Sequence, residues 1–214
     1  MTRFSLLALC AVLALGLPSC KIVKNKAPGE GAIAADASGD DARTAAILDQ
    51  TYDAELLPLI RDKAMPVADL RTAIAGGLDA AGAAHGNRGS GEGAAWNFAV
   101  KGEGTVISAN LESRSRVADL DTDGDGTADL KLQLGPVVKG TALRDVAPFY
   151  KFDDFRDQIA FAKLGRALND KASAALVLPE GGLVGQKLNF LGVVALKSPT
   201  EPWLVTVTEI GPGQ

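Results

Sequence analysis

Ala95-Trp96-Asn97-Phe98-Ala99-Val100-Lys101-Gly102-Glu103-Gly104-Thr105-Val106-Ile107-Ser108-Ala109-Asn110-Leu111 is where the period of the sequence changes. Upstream, apolar residues recur every three or four positions. Here Trp96, Phe98 and Val100 alternate with small or polar neighbours, as in a strand with one buried face. Gly102 and Gly104 interrupt the run before Val106 resumes it, and glycines there allow a kink or bulge within one long strand. Downstream, Arg116–Leu120 and Ala128–Leu134 flank an Asp/Gly turn, with Leu130, Leu132 and Leu134 on one face, which reads as a hairpin. A helical region follows over Thr141–Val146 and Asp153–Lys171, with Phe155, Ile159 and Leu168 expected in the core. Two strands come last, Lys187–Ala195 (Leu188, Phe190, Val194) and Trp203–Ile210 (Trp203, Val205, Val207). A bent strand, a hairpin, a helix between strands three and four, and two last strands make the order of a five-stranded OB-like β-barrel, an α+β fold. Closure also hides strand edges. A sandwich or a helix-packed meander would present a similar string.

Before the strands lies an N-terminal helical segment. From about Arg43, Ile47, Leu48, Tyr52, Leu56, Leu57 and Ile60 share one helical face. Pro66 opens a shorter helix with Val67, Leu70 and Ile74 inward. Gly76-Gly77 ends it, an Ala-rich run continues to Ala84, and His85 opens a glycine-rich loop. Helices and barrel together form one domain over residues 43–214. Residues 20–42 read as a tether, basic at Lys21, Lys24 and Lys26 and then rich in Gly, Ala and Asp, with little to pack.

Residues 1–19 read as a signal peptide. Arg3 supplies the positive start, and Leu6–Leu15 is an apolar stretch too short to span a bilayer. Leu17-Pro18-Ser19-Cys20 resembles the box read by lipoprotein signal peptidase, with Pro18 as a small departure. Cleavage there exposes Cys20 for lipid attachment, a diacylglycerol on its thiol and a further acyl chain on its amine. Each buried methylene contributes roughly 0.8 kcal/mol, so several chains anchor the protein durably to a membrane. Lys21, rather than Asp, directly after Cys20 favours the outer membrane over the inner one.

Losing the first 19 of 214 residues leaves 195, enough for one ordinary core. It takes with it Cys10, and Cys20 is acylated, so no thiol remains for a disulfide. Loss of Arg3 moves the net charge from −4 to −5. An acidic extracytoplasmic domain lacks the basic footprint of a nucleic-acid binder.

The densest chemistry is Asp119-Leu120-Asp121-Thr122-Asp123-Gly124-Asp125-Gly126-Thr127-Ala128-Asp129. Alternating carboxylates followed by glycine are how a short loop wraps oxygen ligands around calcium. The candidate ligands are Asp121, Asp123, Asp125, the Thr127 carbonyl and Asp129, and the ion would be structural. Leu132 stands where an EF-hand has its bidentate Glu, and a second register begins at Asp119. The competing reading is a solvated hairpin tip, since Asp-Gly pairs favour turns. His85 is the only histidine; without a second histidine or a cysteine it builds no ordinary zinc site. With no Gly-flanked Ser elbow and no phosphate-binding glycine loop, no catalytic residue is assigned and the chain reads as non-enzymatic. Phe149, Tyr150, Phe152, Phe155 and Phe161 gather five of eleven aromatics into thirteen residues. They read either as core or as a lip for a ligand such as a sugar ring, with Arg144, Phe149, Tyr150 and Phe152 as its candidate contacts. Arg144 and Asp145 either pair or line the same pocket.

The chain resembles a bacterial family of predicted periplasmic lipoproteins of unknown function. The resemblance rests on the lipobox with Cys20-Lys21-Ile22-Val23, on Val100-Lys101-Gly102-Glu103-Gly104 and on Glu112-Ser113-Arg114. It rests above all on the run from Leu132 to Asp145, with Gly135-Pro136-Val137-Val138-Lys139-Gly140 at its centre. Phe155 through Asn169 continues it, including Gln158, Ile159 and Arg166-Ala167-Leu168-Asn169. Genes of that family often lie beside ribose-type sugar ABC transporters, so the resemblance implies an accessory part in sugar uptake, with transporter components as partners. It implies no catalytic residues.

Overall fold

The computed structural model describes residues 33–213 apart from Ser90 and Glu92. The signal peptide, Cys20 and most of the expected tether lie outside the described residues. In chain order the elements are α1 (Asp40–Thr51), a π-helical turn (Tyr52–Leu56), α2 (Leu57–Lys63), β1 (Met65–Pro66), α3 (Val67–Ala75), α4 (Leu78–His85), β2 (Asn87–Arg88), β3 (Trp96–Asn110), β4 (Ser115–Asp121), β5 (Leu130–Pro136), α5 (Ala142–Asp145), a 3-10 turn (Phe152–Asp154), α6 (Gln158–Ala175), β6 (Lys187–Leu196) and β7 (Trp203–Pro212).

β3, β4, β5, β7 and β6 pair in that order, and β6 closes the circle onto β3. All these pairings are antiparallel except β5 with β7, which is parallel, Leu132 lying opposite Val205. The result is the closed OB-like barrel that the element order implies. β3 makes closure possible because it serves two neighbours in succession. Trp96–Thr105 pair with β6 and Thr105–Asn110 pair with β4. The register slips between Val106 and Ser108, two residues beyond the glycines. The glycines answer a different demand. A Cβ on Gly104 would lie 2.5 Å from the Asp121 carbonyl oxygen, so Gly104 lets the end of β4 approach the strand.

Two apolar layers follow from the alternation along β3 and β6. Phe98 and Val100 point into the barrel with Leu120, Leu132, Leu188, Val194 and Val205, whereas Ala99, Leu191 and Val193 point outward. α3 contributes Val67, Leu70 and Ile74 to the inner layer. α2, α5 and α6, with the π turn, cover the outer face through Ile60, Leu143, Leu164, Leu168 and Tyr52.

The helical face from Ile47 to Ile60 forms, but the helix widens into a π turn before Pro58. Proline lacks the N–H that would bond four residues back, and the wider turn carries the chain past it. The tether expected to reach residue 42 ends sooner. Asp36 caps a 3-10 turn at Ala37–Gly39, α1 starts at Asp40, and Asp40 is 2% exposed against Arg43 and Arg156. α6 begins at Gln158 rather than Asp153 because the Asp157 carboxylate caps it, accepting from the Ala160 amide at 2.9 Å. Its buried stripe runs through Phe161, Leu164, Leu168 and Ala172. Ile159 falls off that stripe and is 67% exposed, which corrects its expected place in the core. No helix among the described residues is long and apolar enough to cross a membrane.

Candidate functional site

The Asp-rich loop joins β4 to β5. Gly124 and Gly126 both sit at φ +85°, in the left-handed region that glycine enters freely. Around them the loop folds onto Asp121, whose carboxylate accepts from the amides of Gly124 (2.6 Å), Gly126 (2.9 Å) and Asp123 (3.2 Å). Those amides, that of Gly124 foremost, hold the Asp121 carboxyl below the usual range. Asp129 accepts from the amide and hydroxyl of Thr122 at 2.6 and 2.7 Å and pairs with the Arg71 guanidinium at 3.0 Å. Burial pushes its carboxyl up, but the Thr122 bonds and Arg71 outweigh this and leave it lowered.

Asp121, Asp123 and Asp129 each bring a carboxylate oxygen within 4.8 Å of the others. Asp125 and Thr127 are not in that group. The exposed Asp125 carboxylate turns back to accept from the Thr127 amide at 2.7 Å. Asp119, which opened a second register in the sequence, is drawn away by Lys131 and by the Ser108 hydroxyl at 2.6 Å. The donor set, three carboxylates, fits a hard cation in kind. Yet the loop also satisfies itself, with amides on Asp121 and a guanidinium on Asp129. Arg71, which no local spacing connects to the loop, comes from α3.

The aromatic segment runs from α5 to α6 over the outer layer. Tyr150 and Phe161 are buried, Phe149 and Phe155 are half-buried, and Phe152 is 41% exposed. Phe149 meets Tyr150 edge-on with ring centres 4.6 Å apart, and Phe161 receives Phe152 and Phe155 at 5.6 and 5.0 Å. The Tyr150 hydroxyl lies 2.6 Å from Thr51 Oγ1, which ties the segment to α1.

Arg144 lies with its guanidinium 3.7 Å from the centre of the Phe161 ring and donates to the Phe161 carbonyl at 3.2 Å. It also pairs with Asp145 at 2.8 Å, and Asp145 accepts from Thr141 Oγ1 at 2.6 Å. A crevice of about 440 Å³ opens beside this cluster, between the segment and β2. Tyr150 and Phe152 line it with Asn87, Arg88, Asp145 and Lys151. Phe149 and Arg144 are not in its wall. Asn87 had no signal in the sequence; it reaches the crevice because β2 pairs with β3 across the intervening loop.

Two comparisons bear on these findings. Residues 10–210 match the model of a family described as "Predicted periplasmic lipoprotein (DUF2291)". That match spans nearly the whole chain, and the chain belongs to this family. The crystal structure of an OB-fold protein from Thermotoga maritima superposes with a TM-score of 0.56 at 13% identity, covering 81% of this chain and 96% of that one. At that identity the likeness concerns the fold alone, and it accords with the barrel described above. No curated protein matches the chain at a significant level.

Proposed function

We propose that this member of the predicted periplasmic lipoprotein family is a non-enzymatic binding module. It is held to its membrane by lipid on Cys20 and takes a small ligand into the crevice beside Phe152, as an accessory of sugar ABC uptake. The observation that carries this reading is the crevice itself. About 440 Å³ is a fair size for a monosaccharide-scale ligand, and rings of Tyr150 and Phe152 stand beside the charged groups of Arg88, Asp145 and Lys151. An aromatic face offers the apolar C–H side of a sugar a stacking surface, and the charged rim offers hydrogen bonds to its hydroxyls. The ionisable pair nearest the crevice is already engaged, Asp145 by Arg144 and Thr141, which favours binding over proton transfer. Lys21 after Cys20 favours attachment to the outer membrane.

Calorimetric titration of the detergent-solubilised protein with pentoses and hexoses tests this reading. Saturable binding that weakens at least about fivefold in Phe152→Ala, the loss of one aromatic contact, is the expected outcome. Absence of heat with every sugar removes the reading. Palmitate labelling that disappears in Cys20→Ala tests the anchor.

A second reading has its own support in the approach of Asp121, Asp123 and Asp129: a structural calcium ion that staples the β4–β5 hairpin. An ion that binds only the folded state raises its stability by mass action. The melting temperature would then rise by several degrees from EDTA to millimolar calcium in the parent protein and stay constant in Asp123→Ala. An unchanged melting temperature in the parent leaves the loop a self-capped turn.

A further inference from the structure

A second chamber of about 310 Å³ lies on the other side of Asn87, between the C-terminal ends of α2 and α4 and the outer face of β3. Its floor is apolar, through Leu59, Ala99 and Val146. Its polar groups were assembled by the fold. Asn87 and Asn97 are directly opposed partners of the antiparallel β2–β3 pair, so their side chains leave the same face of the ribbon. Asn97 is 2% exposed. Its amide nitrogen donates to the Asn87 carbonyl at 3.2 Å and the Ala95 carbonyl at 3.1 Å, which orients the group and leaves Oδ1 without a partner among the described residues. The Asn87 nitrogen donates to the Asp145 carbonyl at 2.7 Å, which again leaves the oxygen over. An amide oxygen on the wall of the chamber is open to an N–H or O–H donor from whatever enters.

Asp62 and Lys63, at the end of α2, also line the chamber, with His85 at the end of α4. Neither Asp62 nor Lys63 is engaged in an ion pair among the described residues. The chamber therefore gathers oxygen acceptors at Asn87, Asn97 and Asp62 beside donors at Lys63 and His85. A carboxylate and an ammonium at the exposed rim of one small cavity, neither in an ion pair among the described residues, match a ligand carrying both opposite charges.

We propose that this chamber binds a small zwitterion of the free amino-acid class, the ligand ammonium meeting Asp62 and the two asparagine oxygens and its carboxylate meeting Lys63 and His85. The size agrees, since 310 Å³ stands at the small end of ligand cavities. The site is separate from the crevice of Tyr150 and Phe152, although the two share Asn87 and Pro148 as a common wall.

His85 supplies the readout, because the chain has one histidine and its ring protons give a single resolved set of NMR signals. The full chain in detergent would be titrated with the common amino acids one at a time, and with alaninol, propionate and ribose. The expected result is a saturable shift of the His85 signals by one or more amino acids, with alaninol and propionate each binding about tenfold weaker for want of one charge-assisted contact. Asp62→Ala and Lys63→Ala, both at exposed positions, should each weaken binding by a similar factor, while Phe152→Ala leaves it unchanged. No shift with any amino acid, or a shift indifferent to both α2 substitutions, overturns the proposal. A response to ribose alone overturns it as well and assigns the chamber to an uncharged polyol. Absence of sugar binding in the parent protein with amino-acid binding intact would remove the crevice reading and leave this one standing.

Discussion

Gly82 shows how far a single hydrogen atom matters in this chain. It lies in the middle of α4, where alanine would ordinarily be better by about 1 kcal/mol. A Cβ there would come 2.1 Å from Trp96 Cδ2 and 2.4 Å from Cε2. The indole cannot step aside freely, because Asp79 accepts from its Nε1 at 2.8 Å and Arg88 lies 5.2 Å over its ring. Overpacking therefore outweighs propensity, and Gly82→Ala should lose about 1–3 kcal/mol in urea unfolding and shift the tryptophan emission. A variant as stable as the parent would mean that Trp96 has an alternative position. The same scale separates the acidic loop residues. Asp121 is the hub that three amides reach, whereas Asp125 caps only the Thr127 amide. Their spacing in the sequence is identical, and only their surroundings distinguish them.

At the scale of elements, α6 carries the clearest contrast. Leu168 is fully buried in the outer layer, and Ile159 is 67% exposed one face away. Leu168→Ala should cost about 2–5 kcal/mol, the loss of a packed leucine. Ile159→Ser should move stability by no more than about 0.5 kcal/mol. Chemical denaturation of the two variants checks both, and a large loss at Ile159 would mean that this face is covered in the native protein. α6 and the residues just before it also face α1 and the π turn across a row of opposite charges, with Asp40 to Arg156 at 3.0 Å, Asp41 to Lys163 at 2.7 Å and Asp53 to Lys171 at 3.1 Å. The Asp41–Lys163 and Asp53–Lys171 pairs are largely solvated at their carboxylates and stabilise little. The row sets the register of the helices more than their strength. The α6 stripe is legible in the sequence from Leu168, but its phase at Ile159 is not. The capping Asp157 moves the first turn, and a short apolar run does not say on which side of a helix end it falls.

For the whole molecule, the carboxylates decide the response to acid. The hydrogen bond from Arg156 holds the Asp40 carboxyl below its ordinary range, and backbone amides do the same for Asp121. Both groups therefore take up a proton more readily in the unfolded chain than in the folded one, and protonation favours unfolding. Their contribution is present above the unfolded pKa of about 4 and is lost as pH falls through the lower folded values. Stability should be level near neutrality and decline below about pH 4, and Arg156→Ala should flatten that decline by bringing Asp40 back toward its ordinary value. Urea unfolding at stepped pH measures both slopes, and an unchanged acid limb in the variant would show that Asp40 does not carry it. The amino-acid sequence alone determined the strands and their order, because alternation every two residues and the succession of segments are local properties, whereas closure of β6 onto β3 chose the barrel over a sandwich or meander. The sequence likewise carried the lipobox, the acidic turn and the aromatic run, each a contiguous string. Only the tertiary structure decided that α3 fills the barrel while α2, α5 and α6 cover its outside, since polarity records that a face is buried and not against what. It alone brought Arg71 to Asp129 across 58 positions and set Asn87 opposite Asn97. Such meetings depend on how distant segments close on one another, and no local spacing encodes them.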